Sequence, residues 1–385
     1  MTYHHREFHL STGLHQLIGH LLAFVRKNVV LCVAIVLAVA TSCIVLPDAQ
    51  YVNYFDWKTL TCLFCTLAVV CALKNIKFFT ILARKIVDCT GNLRVAVLSL
   101  VYITFLGSML ISNDMALLTF LPLGFFVLTS TGMQKHMAFV FIMQNIAANL
   151  GGMLTPFGNP QNLYLYSKFN IPTGEFMGIM LIPFLASITL ITVCCLFLPK
   201  KKLSINEACP YKLPLKRTAI YLILFALAIV VVFRFIPYWI GLIVIPVVLF
   251  FLDKQALRQV DYGLLATFFC FFIFAGNMAR IPAVSELFSA LLAKNTLLFS
   301  ILSCQIISNV PSAILLSQFT MDYPALLVGV NIGGTGTLIA SLASLITFRE
   351  YTAHNPGRAA HYLTKFTAYN VGFVVVLTAI SYFVL

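Results

Sequence analysis

The stretch NLGGMLTPFGNPQN, residues 149–162, lies inside an apolar run covering 133–163 and cannot be one continuous helix. Its Gly residues carry the largest backbone entropy cost, and its Pro residues lack the N–H and collide with the preceding turn. In a run long enough to cross a bilayer, this means a discontinuous helix. Unwound backbone at membrane depth is tolerated only where it is buried in protein or lines a cavity. A second stretch, NIGGTGT (331–337), breaks the run 325–348 in the same way. Two further runs, 94–129 and 295–320, carry ISND (111–114) and ISNV (307–310) at their centres. Their half-runs of about 12–17 residues are short for a crossing. Both read as re-entrant hairpins that enter and leave on one face.

Composition agrees with a membrane setting. Of 385 residues, 61% are hydrophobic and 10% charged, against roughly 45–50% and 25% in average soluble domains. A water-soluble fold could not hide that much apolar surface, which excludes soluble enzymes and nucleic-acid binders. Cys62 and Cys65 have the spacing of a redox or zinc pair, but they sit mid-span without a second pair and read as packing residues. No nucleophile elbow, His-Glu zinc motif or phosphate-cradling loop is present in the sequence. The expectation is a protein that is not an enzyme and uses no cofactor.

Apolar runs at 29–46, 57–73, 175–198, 218–234, 239–252, 261–279 and 364–385, with the two broken runs, predict about nine crossings plus two hairpins. The run 29–46 reads as a retained helix, although Arg26, Lys27 and Ala38-Val39-Ala40 resemble the flanks of a cleaved signal. The net charge of +13 tests the count. With the N-terminus inside, only Lys58, Lys168, Arg234, Arg280 and Lys294 of the 25 basic residues fall outside. That asymmetry obeys the positive-inside rule. It predicts a multi-pass protein of the cell (inner) membrane, N-terminus cytoplasmic and C-terminus external. The His-rich leader 1–28 is expected to touch the cytoplasmic lipid surface.

The chain also resembles itself. FDWKTLTCLFCTLAVVCALKNI (55–76) matches VDYGLLATFFCFFIFAGNMARI (260–281), the two Ile-Ser-Asn tips match, and Asn149-Leu-Gly-Gly matches Asn331-Ile-Gly-Gly with Thr155 against Thr337. These matches occur in the same order and predict two repeats, 29–199 and 218–385, joined by a cytoplasmic linker, 200–217. An odd number of crossings between Asp56 and Asp261 makes the repeats inverted. Inverted repeats with broken helices near the midplane are the architecture of secondary transporters. The predicted fold class is therefore all-α, polytopic, with two inverted repeats and two discontinuous helices.

The breaks and tips carry the chemistry. An unwound centre frees carbonyl oxygens for a cation, and half-helix N-termini favour an anion. Among the acids, only Asp114 sits deep in an apolar run, opposite the uncharged Val310 of the other repeat. An acid at that depth is costly and reads as a proton or cation site; capping the helix that leaves at Met115 is its competing role. Asp56 and Asp261 read as N-caps at the outer surface.

At these residues the sequence resembles the ion transporter superfamily of divalent anion:sodium symporters, citrate carriers and arsenite-efflux permeases. The tips at 112–113 and 308–309 and the two Gly-Gly breaks look like its paired signatures. TPFGNPQNL (155–163) looks especially like a bacterial branch of uncharacterised anion permeases. The resemblance implies a scaffold and a transport domain, elevator-like alternating access, and a homodimer in the lipid bilayer. It implies substrate contacts at Ser112, Asn113, Ser308 and Asn309, and Thr155, Asn159, Thr337 and Ser341 at the breaks are further candidates for substrate binding. Ion coupling, by Na⁺ or H⁺, falls to Asp114, Asn149, Gly151, Asn331, Gly333 and Thr335. Asp114 and Val310 stand where the dicarboxylate branch has Thr, so a Thr-mediated dicarboxylate clamp is not available. The expected function is secondary transport of a small anion or oxyacid. Arsenite/antimonite efflux or Na⁺/H⁺ antiport is the alternative, with an ion channel the reading from another class.

Overall fold

A computed structural model describes residues 28–88, 90–202 and 213–385. The basic leader up to residue 27 and most of the linker lie outside the described residues. The described residues form α-helices and short 3₁₀ turns, with one isolated bridge between Asn92 and Lys202.

The first half comprises α1 (Val29–Ile44), α2 (Trp57–Asn75), α3 (Phe78–Asp88), α4 (Leu93–Ile111), α5 (Asn113–Ser130), α6 (Met137–Gly151), α7 (Pro160–Lys168) and α8 (Thr173–Leu196). The second comprises α9 (Leu215–Val232), α10 (Tyr238–Leu252), α11 (Lys254–Arg258), α12 (Tyr262–Ala279), α13 (Pro282–Lys294), α14 (Thr296–Ile307), α15 (Asn309–Leu316), α16 (Tyr323–Gly333), α17 (Leu342–His354) and α18 (Ala359–Tyr382). From α2 and from α12 onward the order is the same: an Asp-capped helix, a short helix, a hairpin, a broken helix, and a helix of 24 residues. Asp56 and Asp261 cap their helices by accepting from Thr59 N and Leu264 N, both at 2.9 Å. Asn92 and Asn295 cap the incoming hairpin arms through Val95 N and Leu298 N.

Eight helices among the described residues are long and apolar enough to cross a membrane, and four shorter apolar ones accompany them. Large apolar side chains such as Val36, Ile223, Phe251 and Val375 are exposed, as a lipid-facing surface requires. Cys62 and Cys65 are buried in the core of α2, as packing residues are.

Both predicted hairpins fold back on themselves. A Cβ on Gly107 would lie 2.5 Å from the Phe120 ring across the first, and Ser303 Oγ meets Ser312 Oγ at 2.8 Å across the second. Each reversal takes one residue, Ser112 at φ 67° or Ser308 at φ 77°, a region that L-residues enter only under constraint. Because so little chain is spent on the tip, the first hairpin's arms reach 19 and 18 residues, longer than the sequence predicted. The second hairpin's arms have 12 and 8. Three helices, α3, α11 and α13, were not predicted at all. α3 and α13 are short and carry charges such as Arg84 and Glu286, so no apolar run marks them.

Contacts sort the loops into two ends. At one, Arg280 pairs with Asp48 at 2.7 Å, Arg234 bonds Asn170, Lys168 reaches Gln318, and Tyr323 bonds Glu175. At the other, Asn75 bonds Asp253 at 3.0 Å, Arg94 bonds the Leu198 carbonyl, Arg84 covers the Phe126 ring, and His354 stacks on Phe125. Each contact joins segments that the charge count puts on one side.

Candidate functional site

Both broken helices unwind where Gly and Pro predicted it. α6 ends at Gly151 and helix resumes at Pro160; α16 ends at Gly333 and resumes at Leu342. Each break presses a glycine onto a hairpin arm. A Cβ on Gly151 would overlap the Phe105 carbonyl oxygen and lie 2.5 Å from Ser108 Oγ. A Cβ on Gly333 would lie 2.9 Å from Cys304 Cβ and 3.0 Å from Ile301 Cα. Phe105 and Ile301 stand at the same spacing before their Ser tips, as do Ser108 and Cys304, so one packing register serves both halves.

Buried amides tie the breaks together. Asn113 Nδ2, at the first tip, donates to Asn149 Oδ1 at 3.1 Å. Asn159 Nδ2 donates to the Asn149 carbonyl and to Asn331 Oδ1, both at 3.2 Å. Asn331 Nδ2 donates to Asn162 Oδ1 at 2.6 Å, and Asn162 Nδ2 in turn braces the Gly152, Met153 and Thr155 carbonyls. At the second tip the Asn309 backbone N–H and the Ser308 hydroxyl donate to the Ala340 carbonyl, at 2.9 and 3.2 Å. The four interruptions are thus one hydrogen-bonded assembly, held by side chains that would be costly to bury unpaired.

A cavity of about 150 Å³ opens against this assembly. Asn113 and Asp114 of the first tip, Ser308 and Asn309 of the second, and Gln161 at the start of α7 line it. So do Asp261 and Arg349, which belong to the basic end. Asp114 Oδ1 and Gln161 Oε1 are buried without a hydrogen-bond partner among the described residues. Asn113 Oδ1 accepts from the Asp114 backbone N–H at 2.9 Å, the N-cap residue of α5 is Ser112, and no side chain makes a cap hydrogen bond there. An unpaired oxygen of this kind is satisfied by a proton or a cation.

The predicted site residues divide. Asn113, Asp114, Ser308 and Asn309 line the cavity; Ser112 and Asn159 line a smaller neighbouring space of about 20 Å³. Thr155 donates to the Met109 carbonyl at 3.0 Å, Thr337 is held by Gln305, and Ser341 caps α17 through Ser344. None of these three lines the main cavity. Asn149 and Asn331 sit in the amide network, Gly151 and Gly333 in the helix contacts, and Thr335 is buried with its hydroxyl unpartnered. The sequence reading missed Gln161, Arg349 and Asp261. Gln161 lies inside the quoted break, two residues past Asn159, and could have been found there. Asp261, read as a cap at the outer surface, caps α12 but also faces the cavity beside Asp114. No sequence signal marks Arg349.

Known proteins point the same way. The CitMHS family, described as citrate transporter, matches residues 17–327. An uncharacterised transporter of Methanocaldococcus jannaschii is 34% identical over 79% of this chain and 84% of its own length. The inner membrane protein YbiR of Escherichia coli is 28% identical over 76% of this chain and 80% of its own. The crystal structure of the Alcanivorax borkumensis YdaH transporter, described as having an unusual topology, shares the fold at a TM-score of 0.51 and 12% identity, covering 86% of this chain and 87% of that one. The family match and the sequence relatives point to a transport role. With most of its length matched and its broken helices gathered on one cavity, the chain belongs to the CitMHS family of membrane transporters.

Proposed function

We propose that the chain is a secondary active transporter that moves a small anion or oxyacid, such as citrate or another carboxylate, coupled to Na⁺ or H⁺ by alternating access. The observation that carries this reading is the convergence of both hairpin tips and the first break on one cavity, with Asp114 Oδ1 and Gln161 Oε1 unpaired. A bare anion would be repelled by an ionised Asp114, so the anion enters with a cation or proton that neutralises it. Arg349 at the mouth, which forms no ion pair with any described residue, supplies the positive charge that draws the anion in.

The two halves act as inverted repeats in this reading, supported by the recurring element order and the shared glycine register. The cavity's mouth, at Asn28, Asp261 and Arg349, lies at the basic end. If that end is cytoplasmic, the conformation is open inward. The other side is closed by Tyr164, whose hydroxyl pairs with Ser317 Oγ at 2.8 Å and accepts from Gln318 Nε2 at 3.3 Å, and by Phe272 packed against its ring.

A second reading, Na⁺/H⁺ antiport or arsenite/antimonite efflux, draws on the two carboxylates that face one cavity. Flux in proteoliposomes separates them, using citrate, succinate, sulfate, phosphate and arsenite with and without Na⁺ and pH gradients. Saturable anion movement that follows an ion gradient is expected. A pH gradient dissipated by Na⁺ alone would sink the anion reading, and flux indifferent to counter-gradients would make the protein a channel.

A further inference from the structure

The two matching helix starts differ in one chemical respect. In the first half, Asp56 spends both carboxylate oxygens inside the protein: Oδ1 accepts from Thr59 N at 2.9 Å and Oδ2 from Thr59 Oγ1 at 2.6 Å. In the second half, Asp261 Oδ1 accepts from Leu264 N at 2.9 Å. Leucine has no hydroxyl, so Oδ2 of Asp261 receives no hydrogen bond from any described residue. The position of Lys58 is taken by Gly263, which lines the cavity and leaves the carboxylate exposed toward it. The cap is retained, and one of its oxygens is released.

Asp261, itself exposed, lines the cavity together with Asp114 and Gln161, whose Oδ1 and Oε1 are buried with no partner among the described residues. Gln161 is 1% exposed, and its Nε2 is turned to Asn331 Oδ1 at 3.4 Å. Burying an amide oxygen without a donor is costly, and a cation supplies what is lacking. Two carboxylates and an amide carbonyl form an all-oxygen set, the donor type of a hard cation. Among the described residues, Arg349 is the one basic side chain lining this cavity, against the two carboxylates of Asp114 and Asp261.

We propose that Asp261 is a cation ligand of the transport cavity, its Oδ2 joining Asp114 Oδ1 and Gln161 Oε1 to hold Na⁺ in this conformation. The proposal rests on the transport reading for its purpose but not for its chemistry. Asp261 belongs to α12, which packs on α1 through Asn277, bonded to Thr41 and Ser42, whereas Asp114 belongs to a hairpin tip. The site is therefore assembled from three elements, α12, the hairpin tip and the start of α7, and it exists only while the tip faces Asp261. Cation occupancy is tied in this way to one position of the hairpin.

The test is equilibrium binding of radioactive sodium to the purified full-length protein in detergent, compared across wild type, Asp261→Asn, Leu264→Thr and Asp56→Asn. Asn at 261 keeps a cap acceptor and loses the charge. Thr at 264 keeps the charge and the cap but returns the hydroxyl that occupies Oδ2 in the first half. Both are expected to weaken Na⁺ binding about tenfold or more, the scale of losing one contact to a charged group. Asp56→Asn is expected to bind as wild type. Wild-type affinity in Asp261→Asn overturns the proposal, and so does wild-type affinity in Leu264→Thr, which would leave Asp261 acting only through its charge. Equal weakening in all three variants also overturns it, because a general disturbance of the fold, and not the Asp261 oxygen, would then be the cause. Anion flux driven by protons in a protein that binds no Na⁺ overturns this proposal and leaves the transport reading standing. Sodium binding through Asp261 without any anion flux does the reverse.

Discussion

Asn331 and Asn162 meet across the two halves of the chain, Nδ2 to Oδ1 at 2.6 Å, and this contact joins one broken helix to the other. Asn331 also accepts from Asn159 and donates to the Leu327 carbonyl, so one buried side chain, 1% exposed, serves three segments.

Asn331→Ala leaves Asn162 Oδ1 and Asn159 Nδ2 short of a partner in a buried setting. A loss of roughly 1–3 kcal/mol is expected for such an orphaned group. Thermal unfolding of the purified protein in detergent reads it. A melting temperature equal to wild type would show that the network is dispensable.

The glycine contacts predict an order of severity. Gly151→Ala forces a methyl against the Phe105 carbonyl oxygen, part of a helix backbone that cannot turn aside. Gly333→Ala meets the Cys304 side chain and Ile301 Cα at 2.9 and 3.0 Å, a milder overlap. Overpacking costs about 1–3 kcal/mol, with Gly151→Ala at the upper end and the lower melting temperature. The reverse order would contradict the packing register.

Asp114→Asn preserves shape and the bond from the residue-114 backbone N–H to Asn113 Oδ1 while removing the charge. Ion-coupled flux in proteoliposomes is expected to fall at least about tenfold, the scale of one lost charge-assisted contact, with the melting temperature near that of wild type. Unchanged flux and unchanged ion dependence would reduce Asp114 to a structural residue.

Arg349→Gln removes the basic charge at the mouth. The half-saturating concentration for an anionic substrate is expected to rise several-fold, more at low ionic strength than at high, because an exposed charge is screened by salt. An anion affinity independent of this residue would assign the positive charge elsewhere.

The ion pair at the opposite end predicts a pH dependence. Hydrogen bonding to Arg280 holds the Asp48 carboxyl below its ordinary 3.8. A depressed folded value means that the pair's contribution is fully present above pH 3.8 and is lost as pH falls through the lower folded value. Both side chains are exposed to solvent, so the effect is small. The melting temperatures of wild type and Asp48→Asn should differ at pH 6 and converge with acidification. A difference that persists in acid would place the contribution outside this pair.

The four interruptions were legible in the sequence because they are local. Gly and Pro content works against α-helix between Gly151 and Pro160 wherever the segment sits, and Ser-Asn in an apolar run marks a reversal. The element order and the sidedness of the loops followed from apolar length and charge. The short helices α3 and α13 were not legible, since a helix of 11 or 13 residues with charges on one face leaves no long apolar run.

Membership of the membrane class, the position of the breaks and Asp114 as the one acid deep in an apolar run were determined by sequence alone, because each depends on neighbours along the chain. Tertiary structure decided which side chains share a cavity. Thr155, Thr337 and Ser341 match the pattern of a site, yet they are spent on backbone and helix caps. Asp261 has the pattern of a cap and is one, yet it also lines the cavity. The physical reason is that a polar atom becomes available only when no neighbour satisfies it. The neighbours that claim these groups are 3 residues away at Ser341 and Asp261 and 32 to 46 away at Thr337 and Thr155. The cavity, however, sets Asp114 with Asp261 and Arg349, which lie far along the chain and which only the folded chain brings together.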